Sequence, residues 1–204
     1  MSELYKKAGV DLKEAENLSA GIAALGRNFQ SFTGNVVYNG MKIFNCCDGI
    51  GSKIIPLYER GLYKTIATDL VAANLNDMVT KNAQAIAFSD YIAVNKLDSS
   101  AIKNFIFELK EVLDECDCKL LGGETSEIPA LLKERVIDIC GFAIGVSDEN
   151  YVYENITDGD VVIALKSSGI HANGFSLIRK LHAEGKLSDN DFEKCLEPTY
   201  IYYN

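Results

Sequence analysis

The chain has 204 residues, 48% of them hydrophobic and 24% charged, which is the profile of a globular protein with one full core and part of a second. Its 29 acidic against 20 basic residues give a formal charge of −9, which argues against non-specific binding to nucleic acid, since that relies on Lys and Arg meeting phosphates. An anionic small molecule remains compatible with this charge if it arrives with Mg²⁺. The six cysteines form no C-x-x-C pair and stand apart from His171 and His182, so a structural zinc site is not expected. They read as buried thiols in a reducing compartment, which makes the cytoplasm the expected location. Residues 1–12 are charged and carry no hydrophobic stretch, so no secretory leader is expected. No apolar run reaches the ~20 residues that a membrane helix needs.

The first element is a helix over about residues 12–27. Asp11 is its N-cap, Glu14 closes a capping box, and Leu18, Ile22 and Leu25 recur at helical spacing. Gly34, Asn35, Asn39 and Gly40 punctuate the next stretch as turns. Residues 42–47 read as a strand running into a glycine loop, and 68–81 as a helix. Residues 85–94 read as a second strand. Asp98 caps a long helix to Glu115 whose buried stripe is Ile102, Phe105, Ile106, Leu109, Val112 and Leu113. A short strand at 119–121 leads into Gly122 and Gly123, and 136–146 forms another strand. The composition turns polar at 148–158, which divides a domain at 1–150 from a shorter one at 151–204. In the latter, 161–165 reads as a strand and Asn173 or Gly174 opens a helix.

Four loops carry residues suited to chemistry. In the first, Asp48-Gly49-Ile50-Gly51-Ser52-Lys53, the glycines admit a ligand to the backbone, Asp48 suits a metal ion, and Lys53 suits a phosphate. The Walker A spacing is missing, and a plain turn is the competing reading. In the second, at about 100° per residue, Asp69, Asn76 and Asp77 share one helical edge among small alanines. Solvated polar residues, with Asp69 as a cap, are the alternative there. The third places Glu124 just past Gly122-Gly123 at a strand end, suited to a hard cation or an amine, with Thr125 and Glu127 equally readable as loop residues. The fourth runs from Ser167 through Gly169, His171 and Asn173 to a helix start, where amides favour a phosphate. A local capping role for His171 is the competing reading.

Taken in series, these segments resemble the aminoimidazole ribonucleotide synthetase (phosphoribosylformylglycinamidine cyclo-ligase) family. Tyr5 to Asp11 is similar to Y-x-x-A-G-V-D/N, and Asp48 to Lys53 to D-G-V-G-T-K. Asp69-Leu70-Val71-Ala72 with Asn76-Asp77 resembles D-L-V-A-M-x-V-N-D, and Gly122 to Pro129 resembles G-G-E-T-A-E-M-P. Ser167 to Leu177 is similar to S-S-G-P-H-S-N-G-Y-S-L, and Glu197 to Tyr202 to A-P-T-R-I-Y. Six co-linear motifs over nearly all of the chain make the resemblance specific. The chain departs from the pattern in a shorter segment at 28–41, at Ala24, and at Ile170 and Ala172 beside His171. The family's chain also continues beyond the equivalent of residue 204, through an L-T-G-G-G motif.

The resemblance implies an α+β fold. A mixed-sheet N-terminal domain would pair into a dimeric barrel, giving a homodimer, and a truncated second α+β domain would follow. It implies ATP-dependent closure of formylglycinamidine ribonucleotide to aminoimidazole ribonucleotide in purine biosynthesis, with ATP and Mg²⁺ as cofactors; from the acidic charge and the short apolar runs, no nucleic acid or membrane partner is expected. Asp48, Asp69, Asp77 and Glu124 are the implied metal residues. Asp48, Gly49, Gly51, Ser52, Asn76 and Gly123 would contact nucleotide, Lys53 and His171 would serve the chemistry, and Gly169 and Asn173 would lie at substrate. A second chain supplying the rest of the C-terminal half is the implied additional partner. The alternative is a non-catalytic relative that dimerises and binds nucleotide without turning it over. Another ATP user of the same superfamily, such as thiamine-phosphate kinase, is disfavoured by the Gly122–Pro129 and Ser167–Gly174 strings.

Overall fold

The structure, a computed structural model, describes residues 2–26, 33–148, 150 and 157–203. Two N-terminal helices, α1 (Ser2–Lys7) and α2 (Leu12–Ala23), lead into a hairpin of β1 (Gly34–Tyr38) and β2 (Met41–Gly49). Asp11 caps α2 as expected, its side chain accepting from the amides of Lys13 and Glu14. No residue of α2 is buried, so Leu18, Ile22 and Leu25 form an uncovered stripe rather than a core face. The hairpin corrects the expectation of turns alone between 34 and 40. Only Asn39 and Gly40 turn, both at positive φ (49° and 79°), the backbone of a two-residue loop that matches strand twist.

A short 3₁₀ turn, Gly51–Lys53, opens α3 (Ile54–Glu59), and α4 follows over Tyr63–Val79. Then come β3 (Gln84–Val94), α5 (Ser99–Glu115), β4 (Lys119–Glu127) and β5 (Ile137–Asp148). The five strands form one mixed sheet in the order β1-β2-β5-β3-β4. β5 runs antiparallel to both β2 and β3, while β3 and β4 are parallel, so β2, β3 and β4 all end on the same side. Strand β4 extends well beyond the expected 119–121, through Gly122, Gly123 and Glu124, because the backbone of β3 continues to pair with it.

Helices α4 and α5 pack against each other, α4 lying on β2, β5 and β3 and α5 against β4. Their buried residues, Ile66, Leu70, Leu75 and Met78 from α4 and Phe105, Leu109 and Leu113 from α5, meet Phe44, Phe88, Ile92 and Ala143 of the sheet in one core. The opposite sheet face carries Val36, Tyr38, Met41, Phe142 and Ile144 and is covered by no element among the described residues.

Helices α6 (Phe175–Ala183) and α7 (Asp189–Lys194) complete the fold, with Phe175 and Phe192 buried in the same core. The polar boundary expected at 148–158 lies largely outside the described residues. The strand expected at 161–165 does not form. Val161, Val162 and Ile163 are 87%, 94% and 82% exposed, with no neighbouring strand to pair with. All six cysteines are free, and Cys46 and Cys47 point to opposite faces as their adjacency on a strand requires. Cys47 is exposed and its Sγ lies 3.4 Å from that of the half-buried Cys140, which departs from the expectation of uniformly buried thiols. Among the described residues no helix is long and apolar enough to cross a membrane.

Candidate functional site

Asp48 sits where β2 leaves the sheet, and α4 lies directly over that end. Asn74, buried on α4, fixes the junction: its Oδ1 accepts from the Asp48 amide at 3.2 Å and its Nδ2 donates to the Asp48 and Leu70 carbonyls. The chain then turns through Gly49 to Ser52, whose Oγ is 2.9 Å from Ser176 Oγ at the start of α6. That contact draws the 171–176 segment over the glycine loop.

Two cavities result. One of about 220 Å³ is lined by Asp48, Gly49, Ala72, Ala73, Asn76 and Asp77, together with His171, Asn173 and Thr199, and Asp69 forms part of its wall. The other, of about 490 Å³, shares Asp48, Gly49, Ala172 and Asn173 with it and continues along Gly51, Ser52, Asp138 and the start of α6. A further cavity of about 510 Å³, between Tyr58, Lys96, Asp98 and Arg135, contains none of the sequence candidates.

The electrostatics single out two carboxylates. Burial raises the pKa of Asp48 above its ordinary value; the Gly49 amide partly offsets this, and the charge of Asp77 adds to the rise. Burial likewise raises Asp77, offset in part by the Cys46 thiol, which donates to its Oδ2 at 3.4 Å. Cys46 itself is pushed up by burial first and by Asp77 second, so it remains a thiol. Asp48, exposed at the strand end, and the half-buried Asp77 repel one another and have no basic partner among the described residues, so they form a site with a deficit of positive charge.

The other candidates have different surroundings. Asp69 and Lys53 are fully buried and paired, Oδ2 to Nζ at 2.8 Å, and Lys53 Nζ also donates to the Glu197 carbonyl at 2.7 Å. The second Asp69 oxygen accepts from the Thr199 amide at 2.7 Å. Asn76 binds the Tyr200 carbonyl and the Tyr202 amide. Glu124 is exposed on β4. Asp48, Gly141, Asp90 and Gly123 form one row across the sheet, so Glu124, the next residue, faces the opposite side from Asp48. The structure therefore brings Asp48 and Asp77 together with His171 and Asn173, and leaves Glu124 apart. Among the described residues no three His, Cys, Asp or Glu side chains converge as a complete metal site.

His171 and Gly169 are organised by Ser167. Its Oγ receives the Gly169 amide at 3.0 Å, donates to the Gly169 carbonyl at 2.9 Å, and lies 3.3 Å from His171 Nε2. Gly123 lies beneath Asp90: a Cβ there would come within 2.6 Å of the Asp90 carboxyl, so only glycine leaves it room. Asp90 was not among the sequence candidates: it follows Ser89 in a largely apolar strand, and the row it shares with Asp48 marks it.

Comparison with known proteins places the chain in a family. The family described as AIR synthase related protein, N-terminal domain, matches residues 33–147, and the corresponding C-terminal domain matches 157–202. A phosphoribosylformylglycinamidine cyclo-ligase of Vigna unguiculata is 37% identical over 97% of this chain, and one from Sulfurisphaera tokodaii is 36% identical over 97%. The chain spans 54% and 63% of those proteins' lengths. The solved structure of AaThiL complexed with AMPPCP and TMP superposes with a TM-score of 0.52 at 16% identity, covering 62% of this chain and 39% of that one, and so shares the fold. With the family match extending over more than half of its residues, this chain belongs to the AIR synthase related protein family.

Proposed function

We propose that this chain carries the nucleotide and metal site of a phosphoribosylformylglycinamidine cyclo-ligase, which closes formylglycinamidine ribonucleotide to aminoimidazole ribonucleotide at the expense of ATP in purine synthesis. The observation that carries this reading is the convergence of Asp48, Asp77, His171 and Asn173, from three separate stretches of sequence, on one cavity. The cyclo-ligase names of the relatives and the AMPPCP complex of AaThiL support it.

The residues present fit Mg²⁺. Two carboxylates with raised pKa values and no basic partner among the described residues gain from a divalent cation, and Mg²⁺ is commonly held by one or two carboxylates plus phosphate oxygens. When bound, Mg²⁺ neutralises charge on the transferred phosphoryl group. Asp48 and Asp77 hold that charge in place on rigid elements, a strand end and a helix. The backbone of Gly51 and Ser52 and the N-terminus of α6 face the adjoining cavity, where helix-start amides suit phosphate oxygens. Asn173 borders both cavities and can orient a ligand that spans them. His171, steadied by Ser167, is placed to hold or move a proton at the substrate. Lys53 stays with Asp69 in the interior, so it takes a packing role in this reading. Glu124 takes no part in the Asp48–Asp77 site.

The uncovered sheet face suits the homodimeric barrel, a second copy being laid against Val36, Phe142 and Ile144. The two family matches, over 33–147 and 157–202, support a division of the chain near residue 150. The free thiols suit a reducing cytoplasm. The exposed run at 161–165 suits a second polypeptide that supplies strands to it and completes the C-terminal half. The second reading is a non-catalytic relative that dimerises and binds nucleotide without turning it over, in which that run stays uncovered.

The test is incubation of the purified chain with ATP, Mg²⁺ and formylglycinamidine ribonucleotide. ADP and aminoimidazole ribonucleotide should appear in equal amounts. Bound nucleotide without turnover would overturn the enzymatic reading in favour of the second.

A further inference from the structure

We infer that Lys53, Asp69 and Asn76 form the seat of a strap, residues 197–203, which pins the C-terminal segment along α4 and fixes Thr199 in the cavity wall. The contacts are continuous. The Glu197 carbonyl takes Lys53 Nζ at 2.7 Å, and the Thr199 amide donates to Asp69 Oδ1 at 2.7 Å. Asn76 Nδ2 donates to the Tyr200 carbonyl at 2.9 Å, and its Oδ1 accepts the Tyr202 amide at 2.7 Å. The Tyr203 hydroxyl accepts the Ala85 amide at 2.6 Å.

The spacing explains why these two helix positions serve. Asp69 and Asn76 are seven residues apart, so they face the same way about two turns, or about 10.5 Å, apart along the axis. Thr199 to Tyr202 is a step of three residues, which spans about 10 Å if the chain runs at the usual strand rise. The strap therefore meets both side chains without slack. Asn76 offers a donor to the Tyr200 carbonyl and an acceptor to the Tyr202 amide, the carbonyl of one residue and the amide two residues on that a neighbouring strand would pair.

This assignment changes what Asp69 is for. One oxygen is committed to Lys53 and the other to Thr199, and the side chain is fully buried. Ligating a cation would require breaking a buried ion pair, which strands an uncompensated charge. Asp69 and Asn76 are thus positioning residues, acting on the cavity through Thr199. The inference deepens the proposed site by separating its ligands from its scaffold, yet its test needs no turnover and can fail independently of that reading.

Hydrogen exchange with mass spectrometry, on the full chain, compares the wild type with Asp69→Asn, Asn76→Ala and Asn76→Asp, alongside titration with Mn²⁺ alone. Exchange at Thr199 should rise by about tenfold or more in Asp69→Asn, and exchange over 200–203 by about as much in Asn76→Ala. Asn76→Asp keeps an acceptor for the Tyr202 amide and should retain protection there. Mn²⁺ affinity should stay within about twofold of wild type in Asp69→Asn and Asn76→Ala, while Asp48→Asn loses about tenfold. Unchanged exchange at 197–203 would overturn the inference, as would an Asp69→Asn variant that loses Mn²⁺ as Asp48→Asn does while Thr199 stays protected. If Asp69→Asn does not fold, the two Asn76 variants decide by the same criteria.

Discussion

Asp90 shows how one side chain can set the response of the fold to pH. It is 5% exposed on β3, and burial raises its pKa from the ordinary 3.8 to about 6, partly offset by its own backbone amide. A carboxyl whose folded-state pKa lies above its unfolded value makes the native state the better proton binder between the two. Its ionisation therefore costs stability as pH rises from about 4 to about 6, and the penalty is fully present above that. Asp90→Asn removes the penalty. The variant should match wild type near pH 4 and exceed it on the order of 2 kcal/mol near pH 8, measured by urea unfolding across that range. Parallel profiles for the two proteins would contradict the account. Gly123 belongs to the same arrangement, since it admits the Asp90 carboxyl. The family resemblance implied a nucleotide contact for Gly123; in the structure it makes room for the Asp90 carboxyl.

At the scale of elements, legibility followed local chemistry. α5 was readable because Asp98 caps it with two amide bonds and Ile102, Phe105, Leu109, Val112 and Leu113 form the buried stripe that their spacing describes. α4 was readable as a helix, and the shared edge of Asp69, Asn76 and Asp77 is real. What spacing could not give was the destination of each. Asp69 and Asn76 meet a segment more than a hundred residues later in the chain, while Asp77 meets Cys46 and the cavity. β1 was hidden because Gly34, Asn35, Asn39 and Gly40 all look like punctuation, although only the last two make the turn. The length of β4 is decided by β3, a non-local partner, so glycines that locally suggest a loop continue as strand. Residues 161–165 show the converse: high strand propensity forms no strand without a neighbour to pair with.

For the whole molecule, the sheet has one face in the core and one left bare. Phe142 and Ile144, 38% and 39% exposed, share the bare face with Val36 and Tyr38. Contiguous apolar surface of this kind marks an interaction site. If two copies close over it, Ile144→Glu should convert the dimer to a monomer in light scattering while leaving the circular dichroism of the fold intact. A dimer that persists in this variant would place the interface elsewhere. The glycine loop, α4 and the 171–176 segment, meanwhile, belong to different parts of the chain, and it is their packing against the other side of the sheet that assembles the cavity. The site is thus a property of the assembled fold rather than of any one motif.

The central claim is that Asp48 and Asp77 together hold a magnesium-bearing nucleotide. Calorimetric titration of the full chain with ATP, with and without Mg²⁺, tests it most directly. Wild type should bind the nucleotide at least about tenfold more tightly with Mg²⁺ than without, and that difference should vanish in both Asp48→Asn and Asp77→Asn. A magnesium effect that survives in either variant, or is absent from the wild type, would contradict the account.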